Sequence, residues 1–425
     1  MDYRLRTTHR AGWVLVDPWT IIKNGYVRVC NGLIEEVGQG HSSGGHVIDH
    51  GPGAIMPGFV NAHTHLELCA LKRRVLCDKG LKLPAASSGE SSTVRNSVNF
   101  LIRSLTPPQA AGNALAVQFR PWVKQLINLR DSEETENLLA GAKQGIKEMI
   151  ESGTGVVGEI STLGITKDIL ENSSMEGIWF KEYLGNNSII KTVCNEKKGR
   201  FATSFAAHAP HTTAPELLVN LKNAAQKNNL PFSIHVAESE DEIRFLSTGK
   251  GEWADFLTER GIDFSGWGLP VESPVKYLDR LGLLDKKTIA VHLIHADKDD
   301  FEILLRYDVC ACLCFRSNHY LHQRLPDLTG MLDAGLKPCL GTDSLACVDS
   351  LNMFDETAFI SNAFPLVPPS EILAMATING ANALGVADRF GTLDPGKCSR
   401  LIYVPVNQSN KSSLLEAIVN NEKQI

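Results

Sequence analysis

Two histidines separated by one residue close a short apolar run in Pro57-Gly58-Phe59-Val60-Asn61-Ala62-His63-Thr64-His65-Leu66-Glu67. Alternate side chains of a strand share a face, so His63 and His65 point the same way, and two imidazoles there can grip one metal ion. A His-x-His pair in a loop or a core has no such meaning by itself; the later segments decide. Ser233-Ile234-His235-Val236-Ala237-Glu238 ends a second apolar run with a third imidazole, His235, and with a carboxylate three residues on, Glu238, placed to shuttle protons. Cys339-Leu340-Gly341-Thr342-Asp343-Ser344 ends a third run with Asp343, which can ligate a metal and act as base toward a water, or merely cap the next helix. Three imidazoles and a carboxylate suit zinc or iron and leave a position open for water.

Other polar groups follow apolar runs in the same way. Ile289-Ala290-Val291-His292-Leu293-Ile294-His295 carries two histidines that, at spacing three, do not share a strand face; His292 is the favoured site residue and His295 the reserve. His208 and His211, around Pro210, are candidate substrate contacts, with a turn-stabilising role as the plain alternative. Arg316 and Asn318 follow another run as further substrate candidates. Cys310, Cys312 and Cys314 alternate along it and read as small buried apolar side chains rather than as a thiolate site.

These groups need a frame that gathers strand ends. From about residue 57, apolar runs alternate with helical patterns: helix 137–152, strand 154–160, helix 214–228, then strands 232–236, 288–294, 308–314 and 337–341. That rhythm predicts βα units closing into a (β/α)8 TIM-type barrel, whose chemistry sits at the C-terminal ends of its strands. Residues 11–60 instead show short β-prone runs and turns, and 401–406 adds another, so a small β-sandwich domain built from both chain ends is expected: 1–56 plus 390–425 around a barrel of 57–389. The segment 38–53 and its histidines read as loop, and the tail from 391 to 406 as further β structure that rejoins the N-terminal sheet.

The 425 residues are 43% hydrophobic and carry a net charge of -6, with no basic tract, which argues against a nucleic-acid partner. No run approaches membrane-spanning length and no signal peptide is evident. Ten cysteines without a CxxC pair read as free thiols of a cytoplasmic protein.

Taken together, PGFVNAHTHLE (57–67), HAPHT (208–212), HVAES (235–239), VHLIHAD (291–297), CFRSN (314–318), GTDSLA (341–346) and GTLDPGK (391–397) resemble the deaminase and chlorohydrolase branch of the amidohydrolase superfamily. The resemblance implies one divalent metal per chain, zinc first and Fe or Mn as alternatives, on His63, His65, His235 and Asp343. It implies Glu238 as proton shuttle, His292 as the group polarising the substrate, His208 as a substrate contact and Glu67 as a contact to a ribose hydroxyl. Relatives often form dimers, which makes a homodimer an expectation. The chain departs from the pattern at His211 and Phe315, where an aromatic and a proline are usual, and Glu159 stands where binuclear relatives place a bridging lysine, which favours one metal. The expected substrate is a small molecule, a 6-aminopurine nucleoside losing ammonia. The alternatives are chloride or amine removal from a triazine or pterin ring and, more remotely, a non-catalytic scaffold of the same fold.

Overall fold

A computed structural model describes residues 6–40, 45–72, 119–186 and 199–422. Eight strands, β6 (Phe59–Thr64), β7 (Thr154–Ser161), β8 (Glu176–Tyr183), β9 (Phe201–Ala207), β10 (Phe232–Val236), β11 (Thr288–His292), β12 (Cys310–Leu313) and β13 (Cys339–Leu340), lie in that order as one parallel sheet. The sheet curls until its two edges meet. Asp343 N donates to His63 O and His65 N to Asp343 O, both at 3.1 Å, and the Asn61 amide bonds Thr342 through its own nitrogen and oxygen. Gly341 makes this seam possible, because a Cβ there would lie 2.7 Å from His63 Cβ and 2.8 Å from His63 O. The barrel interior is filled by alternate residues of successive strands, among them Val156, Ile160, Ile178, Phe180, Ala206, Ile289, Val291, Cys312 and Cys314. The cysteines of β12 are therefore packing residues, as their alternation suggested.

Helices cover the outside, each with one apolar face. Thr135–Glu151 buries Leu138, Ala142, Gly145, Ile146 and Met149, the i, i+4, i+7 spacing of a single stripe. A second sheet joins both chain ends: β1 (Arg6–Leu15) pairs with β2 (Ile21–Cys30) and lies parallel to β4 (His46–Asp49) and β5 (Ala54–Pro57); β3 (Leu33–Gln39) extends β2, and β14 (Leu401–Val404) runs antiparallel to β5.

Two expectations differ from the structure. The segment expected as loop contains β4, which borrows order from β1. β8 is a strand that no apolar run announced, because charged residues interrupt it. The stretch from 391 to 406, expected as further β structure, holds β14, which rejoins the N-terminal sheet through β5; beyond it Lys411–Val419 is a helix that buries Leu414, Ala417, Ile418 and Val419.

Candidate active site

The seam explains the first cluster. β6 delivers His63 and His65, the end of β13 delivers Asp343, and β10 delivers His235. One nitrogen from each histidine lies within 4.8 Å of the others, and His65 Nε2 is 3.8 Å from Asp343 Oδ1. The rings are buried, and burial favours the neutral form of His63 and His235. It pushes His63 well below the usual histidine range, with His65 and His235 adding to the effect. Burial, and then the neighbouring His208 and His292, pushes His235 down to about 3. His235 Nδ1 donates to His208 O at 2.6 Å, since a carbonyl can only accept, so its Nε2 keeps a lone pair and faces His63 Nε2 at 3.2 Å. Imidazole nitrogens converging beside a carboxylate fit a divalent cation and serve little purpose without one.

The carboxylate of Asp343 is fixed from behind: Ser317 Oγ donates to Oδ2 at 2.5 Å and Cys347 Sγ lies 3.3 Å from the same oxygen, leaving Oδ1 toward the histidines. Asp343, His292, Ala237 and Leu293 all take left-handed backbone angles (φ +61°, +76°, +52°, +52°). Such strain clusters where strand ends must aim side chains into a site.

Glu238 lies just past the end of β10. Its Oε1 is 3.7 Å from His292 Nε2 and 3.4 Å from His322 Nε2. Burial alone would raise its pKa, but His292, His322 and His235 hold it well below the usual carboxylate range. Behind it, the buried Glu242 accepts from Ala237 N at 3.0 Å and Glu238 N at 2.8 Å, clamping the turn that presents it. His292, not His295, enters the cluster, its ring 5.2 Å from that of His235. His208 borders the cluster too, its ring 5.2 Å from His235 and its Nδ1 2.7 Å from Thr212 Oγ1.

Four residues expected at the substrate are engaged elsewhere. Glu67 is buried, its Oε1 accepting from Thr162 N and Leu163 N at 2.7 and 2.9 Å and its Oε2 from Ser161 Oγ at 2.9 Å, so it braces the loop after β7. His211 is turned into the core against Trp253, with ring centroids 4.4 Å apart. The guanidinium of Arg316 is spent on Ser350, Asp349 and Glu356. Asn318 is fully buried and its side-chain amide meets His292 Nδ1 at 2.8 Å, so it orients that ring. Glu159 likewise turns to Leu66 N and Thr166 Oγ1. Sequence reasoning missed His322, Ser317 and Glu242; only His322 carried a signal, one helical turn after Asn318.

A parallel eight-stranded barrel with imidazoles and a carboxylate gathered at its C-terminal mouth is the architecture of a metal-dependent hydrolase. The chain belongs to the Amidohydrolase family, whose sequence pattern matches residues 54–424. It is similar to the 5-methylthioadenosine/S-adenosylhomocysteine deaminase of Moorella thermoacetica, 26% identical over 382 residues that span 85% of this chain and 76% of the relative. The enzyme of that name from Carboxydothermus hydrogenoformans is 29% identical, over 68% of this chain and 67% of its own. Among solved structures, Helicobacter pylori aminofutalosine deaminase superposes with a TM-score of 0.76 at 20% identity, over 97% of this chain and 96% of that one, which shows the shared fold. Among the described residues no helix is long and apolar enough to cross a membrane.

Proposed function

We propose that this chain is a hydrolytic deaminase that replaces the exocyclic amine of a 6-aminopurine nucleoside with oxygen and releases ammonia. The observation that carries this reading is the convergence of three buried imidazoles and Asp343 next to Glu238, which its histidine neighbours hold ionised. The names of the relatives support the nucleoside class. His63, His65, His235 and Asp343 are the residues that would hold one divalent ion, with zinc the first choice. When bound, such an ion supplies positive charge that lowers the pKa of an adjacent water toward neutrality and draws electrons from the reacting carbon.

The protein's own groups manage the protons. Asp343 Oδ1 is the oxygen left free by Ser317 and Cys347, and it takes a proton from the attacking water. Glu238 enters ionised, so it relays two protons in turn: the one removed from the water goes to the purine ring nitrogen, and the one left on the new C–OH group goes to the departing amine. His292, held by Asn318, donates toward the charge that develops on the carbon's new oxygen. Water and the aminopurine become the oxopurine and ammonia, with no other reactant.

The test is metal analysis of the purified protein with ammonia release from aminopurines, their nucleosides, pterins and triazines. About one metal per chain and ammonia from an adenine nucleoside meets the expectation. Metal without ammonia from any nucleoside overturns the substrate class, and chloride release from a halotriazine would put the chlorohydrolase in its place. Failure to bind metal under any loading condition overturns the enzyme.

A further inference from the structure

Glu67, Glu159 and Glu242, buried around the barrel mouth, each accept through both oxygens. Glu356, behind the segment that carries Ser317 and Asn318, leaves its Oε1 unpartnered but faces Arg316. Glu182, near the end of β8, is 4% exposed; its Oε2 accepts from Thr162 Oγ1 at 2.5 Å, but its Oε1 is buried with no partner among the described residues. A buried carboxylate oxygen without a donor costs folding free energy, so it persists where something else supplies the donor.

The register shows where that oxygen lies. Glu182 stands opposite Ala206 of β9, and Ile178, Phe180 and Ala206 all face the barrel interior. Side chains two apart share a face, so Glu182 is the next inward residue above Phe180, at the mouth. Its strand lies between the one carrying His63 and His65 and the one carrying His235. His208, His65 and His235 are its electrostatic neighbours; burial alone would raise its pKa, but these rings and the Thr162 hydroxyl hold it below the usual value. Glu182 is therefore an acceptor set beside His208, to one side of the reacting cluster.

We infer that Glu182 is a substrate-binding residue, its free Oε1 accepting a hydrogen bond from a sugar hydroxyl of the nucleoside. This assignment rests on the nucleoside reading above. It gives the mouth a polar contact for the part of the substrate that does not react, which Glu67 cannot provide because its oxygens are committed to the loop after β7.

The experiment compares wild type with Glu182→Gln and Glu182→Ala, all metal-loaded, on adenosine, its 2′-deoxy and 3′-deoxy counterparts and free adenine. Glu182→Gln has the same shape and keeps the Thr162 contact, so it guards against a folding failure of the alanine variant. Expected is a roughly 10- to 100-fold fall in the ratio of kcat/KM for adenosine over that for adenine, mostly through KM, with Gln intermediate. One deoxynucleoside should be indifferent to the substitution, because it lacks the hydroxyl that Glu182 holds. Calorimetry with the product nucleoside should show the same pattern without turnover. Equal losses on nucleoside, both deoxynucleosides and base, or no loss at all, would overturn the assignment while leaving the deaminase intact. A wild-type protein inactive on every one of these substrates would overturn the nucleoside reading first, and this assignment with it.

Discussion

Glu356→Gln should make the protein more stable at alkaline pH and change little near pH 5. The Glu356 carboxyl is fully buried against the segment that carries Ser317 and Asn318. Its Oε2 meets Arg316 N at 3.4 Å, its Oε1 has no hydrogen-bond partner, and Arg316 Nη1 lies 3.7 Å away. Burial outweighs the arginine and raises the pKa from 4.5 to about 7. An acid whose folded pKa is raised contributes fully below its unfolded pKa, and that contribution is lost as pH climbs through the folded value. A shift from 4.5 to about 7 corresponds to about 3 kcal/mol in all, of which about 2 kcal/mol falls between pH 5.5 and 8. Glutamine keeps the shape and the acceptor but never ionises. Denaturant melts of both proteins at pH 5.5, 7 and 8 should therefore show the stability difference moving in favour of the variant by about 2 kcal/mol as pH rises. A difference that stays flat, or that moves toward the wild type, would mean that Arg316 keeps the carboxylate ionised and that the assignment of a protonated Glu356 is wrong.

Glu238→Gln should lower kcat by roughly 10²- to 10⁴-fold, with metal content and melting temperature unchanged, since it removes the proton carrier and nothing structural. Ser317→Ala should keep the metal but reduce kcat, because Asp343 Oδ2 loses its donor; metal analysis beside steady-state kinetics separates this from loss of the site. Gly341→Ala should destabilise by at least about 1–3 kcal/mol and lower metal occupancy together, as the new Cβ forces the barrel seam apart at His63. A Gly341→Ala protein that melts and binds metal like wild type would contradict that account of the seam.

The barrel and its chemistry were unequally legible. His63, His65, His235 and Asp343 follow apolar runs, and strand alternation plus the barrel's habit of placing chemistry at strand ends suffices to bring such residues together. β8 escaped because Glu176, Lys181 and Glu182 break its apolar run, and with it went Glu182. Glu67, Arg316 and Asn318 have the residue types of ligand contacts, but their partners are 26 to 96 positions away in sequence. Whether a polar side chain meets a ligand or a loop amide is settled by tertiary packing, which no local pattern encodes. His211 shows the same limit, since only the helix bearing Trp253 turns it inward.

The hydrogen bond from Thr64 Oγ1 to Asp343 O spans 279 residues of sequence. On the ribosome, the two sides of the histidine and aspartate cluster are thus made well apart in time. Every strand from β6 to β12 can be in place while the cluster still lacks its carboxylate. The nascent chain has no complete set of donors to offer a metal until the residues around Asp343 have emerged, so ion capture follows the earlier barrel strands rather than nucleating them. Truncated chains that stop before Cys339 would expose unpaired edges on β6 and β12 and hold three imidazoles with no acid beside them, making them ready substrates for quality-control proteases.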